Sequence, residues 1–461
     1  MSPQRFVRFL LPTLIIANVV VKLLWLGRTE LAHDEPFTVY WSQRSLAELW
    51  AMMRTENNPP LFFLLIKAWS TVAPFDGAWL RVPSALFSAL VVWPLFLLAR
   101  SLGGLRVALV AALLFTLNNY HYGFAHEVRA YALFTLLSVL SMWLLVRAKD
   151  KPVGLRSLLG LSAVNILLVY THFFGWLLIG VQVLCVLLIA DLKPLRRSFF
   201  LGALFTALSY LPYATTFVGR FSQSVTEGTW LKAPVPEELY NMVWRWSNAP
   251  VLAVLFLLLI VVALVRSRGR GSAIRISLIW TFIPLFGMYL ASYVAPMFHD
   301  RYLVYAAPGF ALLVALSIIA LKLRPAVTSG IAALAVLGLA FTFTPWVDTG
   351  RHPSRVVAQA EEWCAGECSL EVLPRWYWLT YTATKDINNL RYENPVAFGG
   401  AVPGTVYSLA AADTLPTAIV IDAGADLIDP DRKWYKALRT TYATVDSIEA
   451  DHRVWVYRFR R

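Results

Sequence analysis

A chain of 461 residues that is 58% hydrophobic and only 15% charged, with a mean hydropathy of +0.58, is too apolar for a soluble globule. Its apolar residues come in repeated runs of roughly 17–20, the length that crosses a bilayer. The formal net charge of +13 would suggest nucleic acid in a soluble protein. Here the basic residues fall in short loops between apolar runs, so the charge reads as membrane topology and nucleic acid is set aside as a partner.

Arg5 and Arg8 precede the first run, 9–27, and put the N-terminus in the cytoplasm. The run is long and no small-x-small cleavage site follows, so it reads as an uncleaved span. Residues 28–80 form a long outer loop. Within it Ser45-Leu46-Ala47-Glu48 is a capping box opening a helix at Leu46–Arg54. Asn58-Pro59-Pro60 opens another at Leu61–Val72, with Asn as cap and Pro in the first turn. Parity decides whether that second helix crosses. If it lies in the interface, the basic loops at Arg100/Arg106, Arg147–Arg156, Lys193–Arg197, Arg266–Arg275 and Lys322/Arg324 all stay inside; if it crosses, all go outside.

The interfacial reading predicts further spans near 82–99, 107–122, 130–147, 157–172, 174–190, 198–217, 250–265, 276–294, 302–321 and 326–345. That makes about eleven, with the C-terminus outside. Residues 346–461 are more polar and hold no run long enough to span. Pro353–Trp363 and Asp431–Arg439 read as helices, and Thr417–Ile421 and Val454–Phe459 as strands. Two domains result, 1–345 in the membrane and 346–461 as a small α/β domain outside it. Cys185 lies in an apolar run as a packing residue. Cys364 and Cys368 are close in the tail, where a disulfide is geometrically demanding, and the three Cys form no zinc set.

On this topology His33, His121, His126, His172 and His299 all fall at or beyond outer span ends. Three outer connections carry acid–base clusters: His33-Asp34-Glu35, His126-Glu127-Val128-Arg129 and His299-Asp300-Arg301-Tyr302. Charges beside a membrane are costly unless paired or functional. They are either interfacial charges pairing with one another or parts of a site. For His172, a hydrogen-bonded helix-end residue is the competing reading. Chemistry that suits the set is transfer from a lipid phosphate. A carboxylate takes the acceptor hydroxyl's proton, the oxygen attacks a sugar's anomeric carbon, and the phosphate leaves as an anion steadied by Arg.

These motifs, in this order, resemble the bacterial membrane glycosyltransferases of the GT-C class, especially the dolichyl-phosphate-mannose protein mannosyltransferase-like group. The resemblance rests on Asp34-Glu35 after the first span, Asn58-Pro59-Pro60-Leu61-Phe62-Phe63, and Leu80-Arg81-Val82-Pro83-Ser84-Ala85-Leu86. Glu127-Val128-Arg129-Ala130-Tyr131-Ala132-Leu133 and Arg301-Tyr302-Leu303 complete it. It covers about residues 1–325.

The resemblance implies an all-α polytopic membrane domain of the GT-C type and inverting transfer of a monosaccharide from a polyprenyl phosphate at the outer face of the bacterial cytoplasmic membrane. It implies Asp34 as the catalytic base, and Glu35 and Glu127 as acidic partners that position the acceptor or a divalent ion (Mg or Mn). Arg129, His299 and Arg301, with Tyr302, would sit near the donor phosphate. His33, His126, His172 and Asn58 are accessory candidates. The loop 218–249, with Trp230, Tyr240, Trp244 and Trp246, is either a cover over the lipid site or an aromatic belt. The lipid A aminoarabinose transferases usually carry Glu-Lys where this chain has Asn57-Asn58, which argues against that sugar and acceptor. Lipid, polysaccharide and protein stay open as acceptors, and metal dependence stays open.

A lipid-linked sugar flippase would place its ionisable groups near the midplane. A receptor or assembly factor leaves the three clusters unexplained. An O-antigen ligase would carry its key residues in a large late loop.

Overall fold

A computed structural model describes residues 3–461 except 55, 57, 150–154, 227–230, 269–270, 347–349, 365, 367, 394–414 and 428, and, for side chains, also except 3–8 and 155–158. The described chain divides into two compact units. A helical unit comprises Met1–Trp25, Met52–Phe62 and Arg81–Trp346, and a mixed unit comprises Leu26–Ala51, Phe63–Leu80 and Val347–Arg461. The boundary expected near residue 345 therefore leaves out two segments. Most of the 28–80 loop groups with the tail.

In the helical unit, length and composition single out six membrane-crossing stretches among the described residues: Gly77–Thr116, Tyr131–Ala148, Pro250–Ser267, Ser272–Ala291, Asp300–Ala320 and Pro325–Thr342. This is a multi-pass membrane protein. Asp300–Ala320 is its axis, with 89% of its apolar window buried, whereas Pro325–Thr342 buries 17%. A helix that exposes that much apolar surface is built for lipid.

The difference from about eleven expected spans has visible causes. Gly175–Leu188 and Ala190–Ser209 are each short and meet at a 110° bend. Phe9–Leu23 and Leu159–Thr171 are the apolar parts, within the described side chains, of the helices Pro3–Leu23 and Leu155–Thr171. The 40-residue stretch Gly77–Thr116 is broken at Gly104, whose φ of +82° only glycine adopts readily. The break falls between Arg100 and Arg106, where the inner turn is expected. Beyond it the helix stops at Thr116, and Asn118 accepts from His121 N (2.9 Å) to cap a separate helix, Asn119–Ala125.

Buried polar groups join the helices. Ser141 Oγ donates to Asn165 Oδ1 (2.5 Å), Asn165 Nδ2 to Gln182 Oε1 (3.0 Å) and Gln182 Nε2 to Ser141 Oγ (2.5 Å), a closed ring over three helices. Asn18 Nδ2 donates to Thr116 Oγ1 (3.0 Å). With no hydrophobic drive between helices in lipid, such bonds and close packing select partners.

In the mixed unit the capping box forms as expected. Ser45 N donates to Glu48 Oε2 (2.8 Å), and Glu48 N to Ser45 Oγ (3.2 Å), opening Leu46–Met53. The helix expected at Leu61–Val72 is Leu61–Trp69, nine residues or about 14 Å, far short of a bilayer. Length alone supports the interfacial reading.

Arg44 shows why this loop groups with the tail. Its guanidinium donates to the carbonyls of Leu390 (2.8 Å), Arg391 (2.7 Å) and Glu393 (3.0 Å), while Lys67 Nζ donates to the Arg44 carbonyl (2.7 Å). The tail's strands are β1 (Cys368–Leu373), β2 (Thr417–Asp422), β3 (Thr444–Asp451) and β4 (Val454–Arg460), in the order β1-β2-β4-β3 with β1 and β2 parallel and the rest antiparallel. Alternate residues pack opposite faces. Ile419, Ile421 and Val456 meet the helix Pro353–Cys364, and Val420, Tyr457 and Phe459 meet Trp434 and Leu438 of Lys433–Thr441. Cys364 and Cys368 are disulfide-bonded, and Cys185 is free and buried.

Candidate active site

The mixed unit carries His33, Asp34 and Glu35. His33 is exposed in a left-handed turn (φ +54°), and the turn delivers the chain into the helix Glu35–Ser42. Pro36 suits the first turn, where a missing N–H costs nothing. Glu35 is buried and its Oε2 accepts from Ala32 N (3.3 Å), which braces the turn from inside. Asp34 is half-buried at the helix's N-cap position, and its carbonyl accepts from Thr38 N (3.1 Å).

The helical unit carries the other candidates. Arg129, 8% exposed, donates from Nη2 to Asn58 Oδ1 (3.2 Å) and lies 5.9 Å from the Tyr131 ring. Asn58 was expected to cap a helix. Its side chain instead accepts from Arg129 and donates to Glu56 Oε1 (3.0 Å). Asn57 lies outside the described residues. Tyr213 OH donates to Met53 O (3.2 Å) and holds the segment below Asn58. Glu127 is half-buried, and its carbonyl accepts from Arg129 N (2.8 Å).

His172 links the two later clusters. Its ring stacks on Phe134 at 4.8 Å and lies 5.9 Å from Tyr131 and 5.7 Å from Tyr302, and both Arg129 and Arg301 act on it electrostatically. Its Nδ1 accepts from Phe174 N (3.2 Å), so the helix-end reading is also met. Thus Asn58, Arg129, His172, Arg301 and Tyr302 come together, although about 240 residues separate the first from the last.

His299 joins them through Tyr302, at 5.6 Å between rings, but its Nδ1 is 2.6 Å from Asp300 Oδ1. At that distance Nδ1 donates to the carboxylate, and the 3.4 Å approach of Arg301 Nε is secondary. Asp300 also pairs with Arg245 Nε (3.2 Å).

His126 sits apart. It is buried, its ring lies 4.6 Å from Tyr122, and burial, reinforced by Lys22 and Arg81, pushes its pKa down to about 3. His121 is fully buried and bonded to Ser88 Oγ (2.9 Å).

Three residues were not singled out from sequence. Lys22 is fully buried inside the first apolar run, 4.6 Å from the Tyr122 ring. An ionisable residue in such a run was the available signal. Arg81 is equally buried, and Arg245 was hidden in the 218–249 loop. That loop is largely helical, with Leu211–Thr226 running into it and Glu237–Ser247 within it. Trp246 is buried against Phe310, so it belongs to neither a cover nor a belt. Tyr240 and Trp244 are exposed, and Trp230 lies outside the described residues. Among the described residues no three His, Cys, Asp or Glu side chains converge to hold a metal ion.

Residues 57–214 match the family model described as dolichyl-phosphate-mannose-protein mannosyltransferase. No curated protein sequence matches the chain. In fold the chain is similar to ArnT from Cupriavidus metallidurans bound to undecaprenyl phosphate, with a TM-score of 0.64 at 14% identity over 97% of both chains. The apo state of that ArnT gives 0.64 at 13% identity, over 99% of this chain and 98% of the other. The archaeal oligosaccharyltransferase AglB from Archaeoglobus fulgidus, in complex with an inhibitory peptide and a dolichol-phosphate, gives 0.54 at 11% identity, over 90% of this chain and 70% of AglB. These likenesses give the chain the fold of that ArnT, and a segment of it matches a glycosyltransferase family model. The family match covers 57–214, about a third of the chain.

Proposed function

We propose that the protein transfers a monosaccharide from a polyprenyl phosphate to an acceptor hydroxyl with inversion at the anomeric carbon, at the outer face of a bacterial cytoplasmic membrane, with its N-terminus inside. The observation that carries this reading is the convergence of Arg129, Arg301 and Tyr302 about His172 in a protein of GT-C fold. The Asp34 carboxylate takes the acceptor's proton as the acceptor oxygen bonds to the anomeric carbon. The bond from that carbon to the phosphate oxygen breaks, and the polyprenyl phosphate leaves as an anion. Arg129 and Arg301 steady the charge that grows on it, so no general acid is needed. Asn58 holds Arg129 in place, Tyr302 packs beside His172, His299 is held by Asp300 next to Arg301, and Glu35 fixes the turn that presents Asp34. Glu127 is the candidate for positioning the acceptor. His33 and His126 have no chemical step in this scheme.

The polar ring Ser141–Asn165–Gln182 satisfies itself within the bundle, and it contains no ionisable group of the kind a transport pathway uses. Asp34→Asn is the test. Transfer of labelled sugar from a polyprenyl phosphate should fall by about 10²–10⁴-fold, the usual weight of a general base, with binding of undecaprenyl phosphate retained. Full transfer by Asp34→Asn would remove the base from the scheme.

A further inference from the structure

The mixed unit holds a cavity of about 500 Å³ that no role above uses, inside the range of small-ligand sites. Loops leaving the C-terminal ends of the parallel pair β1 and β2 build one side, through Trp376, Tyr377, Asp422 and Gly424. Ligands favour that end of parallel strands. The turn between β3 and β4 adds Arg453 and Trp455, and His33, the neighbour of Asp34, lines it as well.

Tyr377 is 7% exposed, yet its hydroxyl has no hydrogen-bond partner among the described residues. A buried hydroxyl left unpaired costs about 1–3 kcal/mol, which a ligand can relieve. Trp376 and Trp455 are 48% and 37% exposed, unusual for indoles in a unit with a well-packed core. Three non-glycine residues on the rim, His33, Arg432 and Arg453, hold left-handed backbone (φ +54°, +51° and +58°). Strain of that kind collects at functional sites.

The chemistry of the lining selects the ligand. Carboxylates (Asp426, Glu449) and guanidiniums (Arg351, Arg432) are both present, so neither a simple anion nor a simple cation matches. Flat apolar ring faces beside mixed donors and acceptors match a sugar ring, which has C–H faces and an O–H edge. We propose that this cavity binds a neutral saccharide and is the acceptor-glycan subsite. Its binding function stands on the cavity, and its acceptor role rests on the transfer reading above.

The test uses the full-length protein in lipid nanodiscs, with maltotriose, α-1,6-mannotriose and α-1,5-arabinotriose as probes in saturation-transfer NMR. At least one should bind. Trp376→Ala and Trp455→Ala should each raise its Kd tenfold or more, and Tyr377→Phe, which removes a single oxygen, by a few-fold. Undecaprenyl phosphate affinity should not change in any of the three. Binding of none of the probes, or equal binding by the tryptophan variants, overturns the proposal. Asp34→Asn keeps the two ideas separable, because it should bind the saccharide like the parent protein while losing transfer. If it instead transfers normally, the reaction scheme falls and the saccharide arms still judge the cavity.

Discussion

Buried cations of the helical unit and carboxylates of the mixed unit are held by different kinds of partner. In the helical unit, two buried cations lean on neutral groups, Arg129 on the Asn58 amide and the Tyr131 ring and Lys22 on the Tyr122 ring, while Arg245 pairs with Asp300. In the mixed unit, carboxylates are held by backbone N–H groups. Glu35 accepts from Ala32 N, Asp422 from Gly424 and Ala425 N (3.1 and 2.7 Å), and Asp451 from His352 and His452 N (2.9 and 2.8 Å). A neutral partner orients a guanidinium without cancelling its charge, and a backbone donor stabilises a carboxylate in its ionised form. On the proposed scheme the helical unit meets the anion and the mixed unit the acceptor hydroxyl, the two ends of a glycosyl transfer from a phosphate.

The largest expected effect tests that division of labour. Arg301→Ala and Arg129→Ala should each weaken undecaprenyl phosphate binding by about 10–100-fold, corresponding to ~1.5–3 kcal/mol for a charge-assisted hydrogen bond. The lysine variants should recover part of it, since lysine keeps the charge and loses the fork. Isothermal titration in nanodiscs reads the result. Asp34→Asn belongs to the other unit and should leave this affinity alone, while the arginine variants should leave the Kd of any saccharide that the cavity binds unchanged. Crossed effects would break the comparison.

The next prediction concerns the grouping of the outer loop with the tail. Arg44→Met removes donors from three carbonyls, at Leu390, Arg391 and Glu393. Leaving such acceptors short of partners should cost about 1–3 kcal/mol. Limited proteolysis should show the tail cut faster, with the helical unit's melting unchanged. Equal proteolysis would show that the loop and the tail hold together without Arg44.

This grouping is where the sequence reading stops short, and the reason is physical. A capping box is a contact over three residues, and Ser45-Leu46-Ala47-Glu48 announces it in plain text. The strand Thr417–Asp422 and the helix Pro353–Cys364 are likewise local patterns of period two and 3.6. Arg44 reaches carbonyls about 350 residues away, and a backbone carbonyl carries no residue signature. Asn58 fails for a related reason: Asn before Pro-Pro is a good cap by rule, but a buried guanidinium competes for the same oxygen. Lys22 was readable as an ionisable residue in an apolar run. Its tertiary partner, the Tyr122 ring, was not.

The smallest effect sharpens the comparison from the helical side, where a histidine is held neutral. Burial pushes His126 down to about 3, with Lys22 and Arg81 adding to it, from an ordinary value near 6.5. Its native pKa lies below its unfolded pKa, so between these values the unfolded chain binds more protons than the native one. The stability this confers is present above about pH 6.5 and is lost as pH falls toward 3. One group titrating this way removes about 1.4 kcal/mol by pH 5.5. Melting in detergent should therefore drop between pH 7.5 and 5.5. In His126→Gln, which cannot protonate, the slope should be shallower by that amount, whatever the other histidines contribute to both proteins. If the two slopes match, His126 is charged in the native state, and the buried end of the helical unit holds more compensating negative charge than the Tyr122 ring and its neighbours supply.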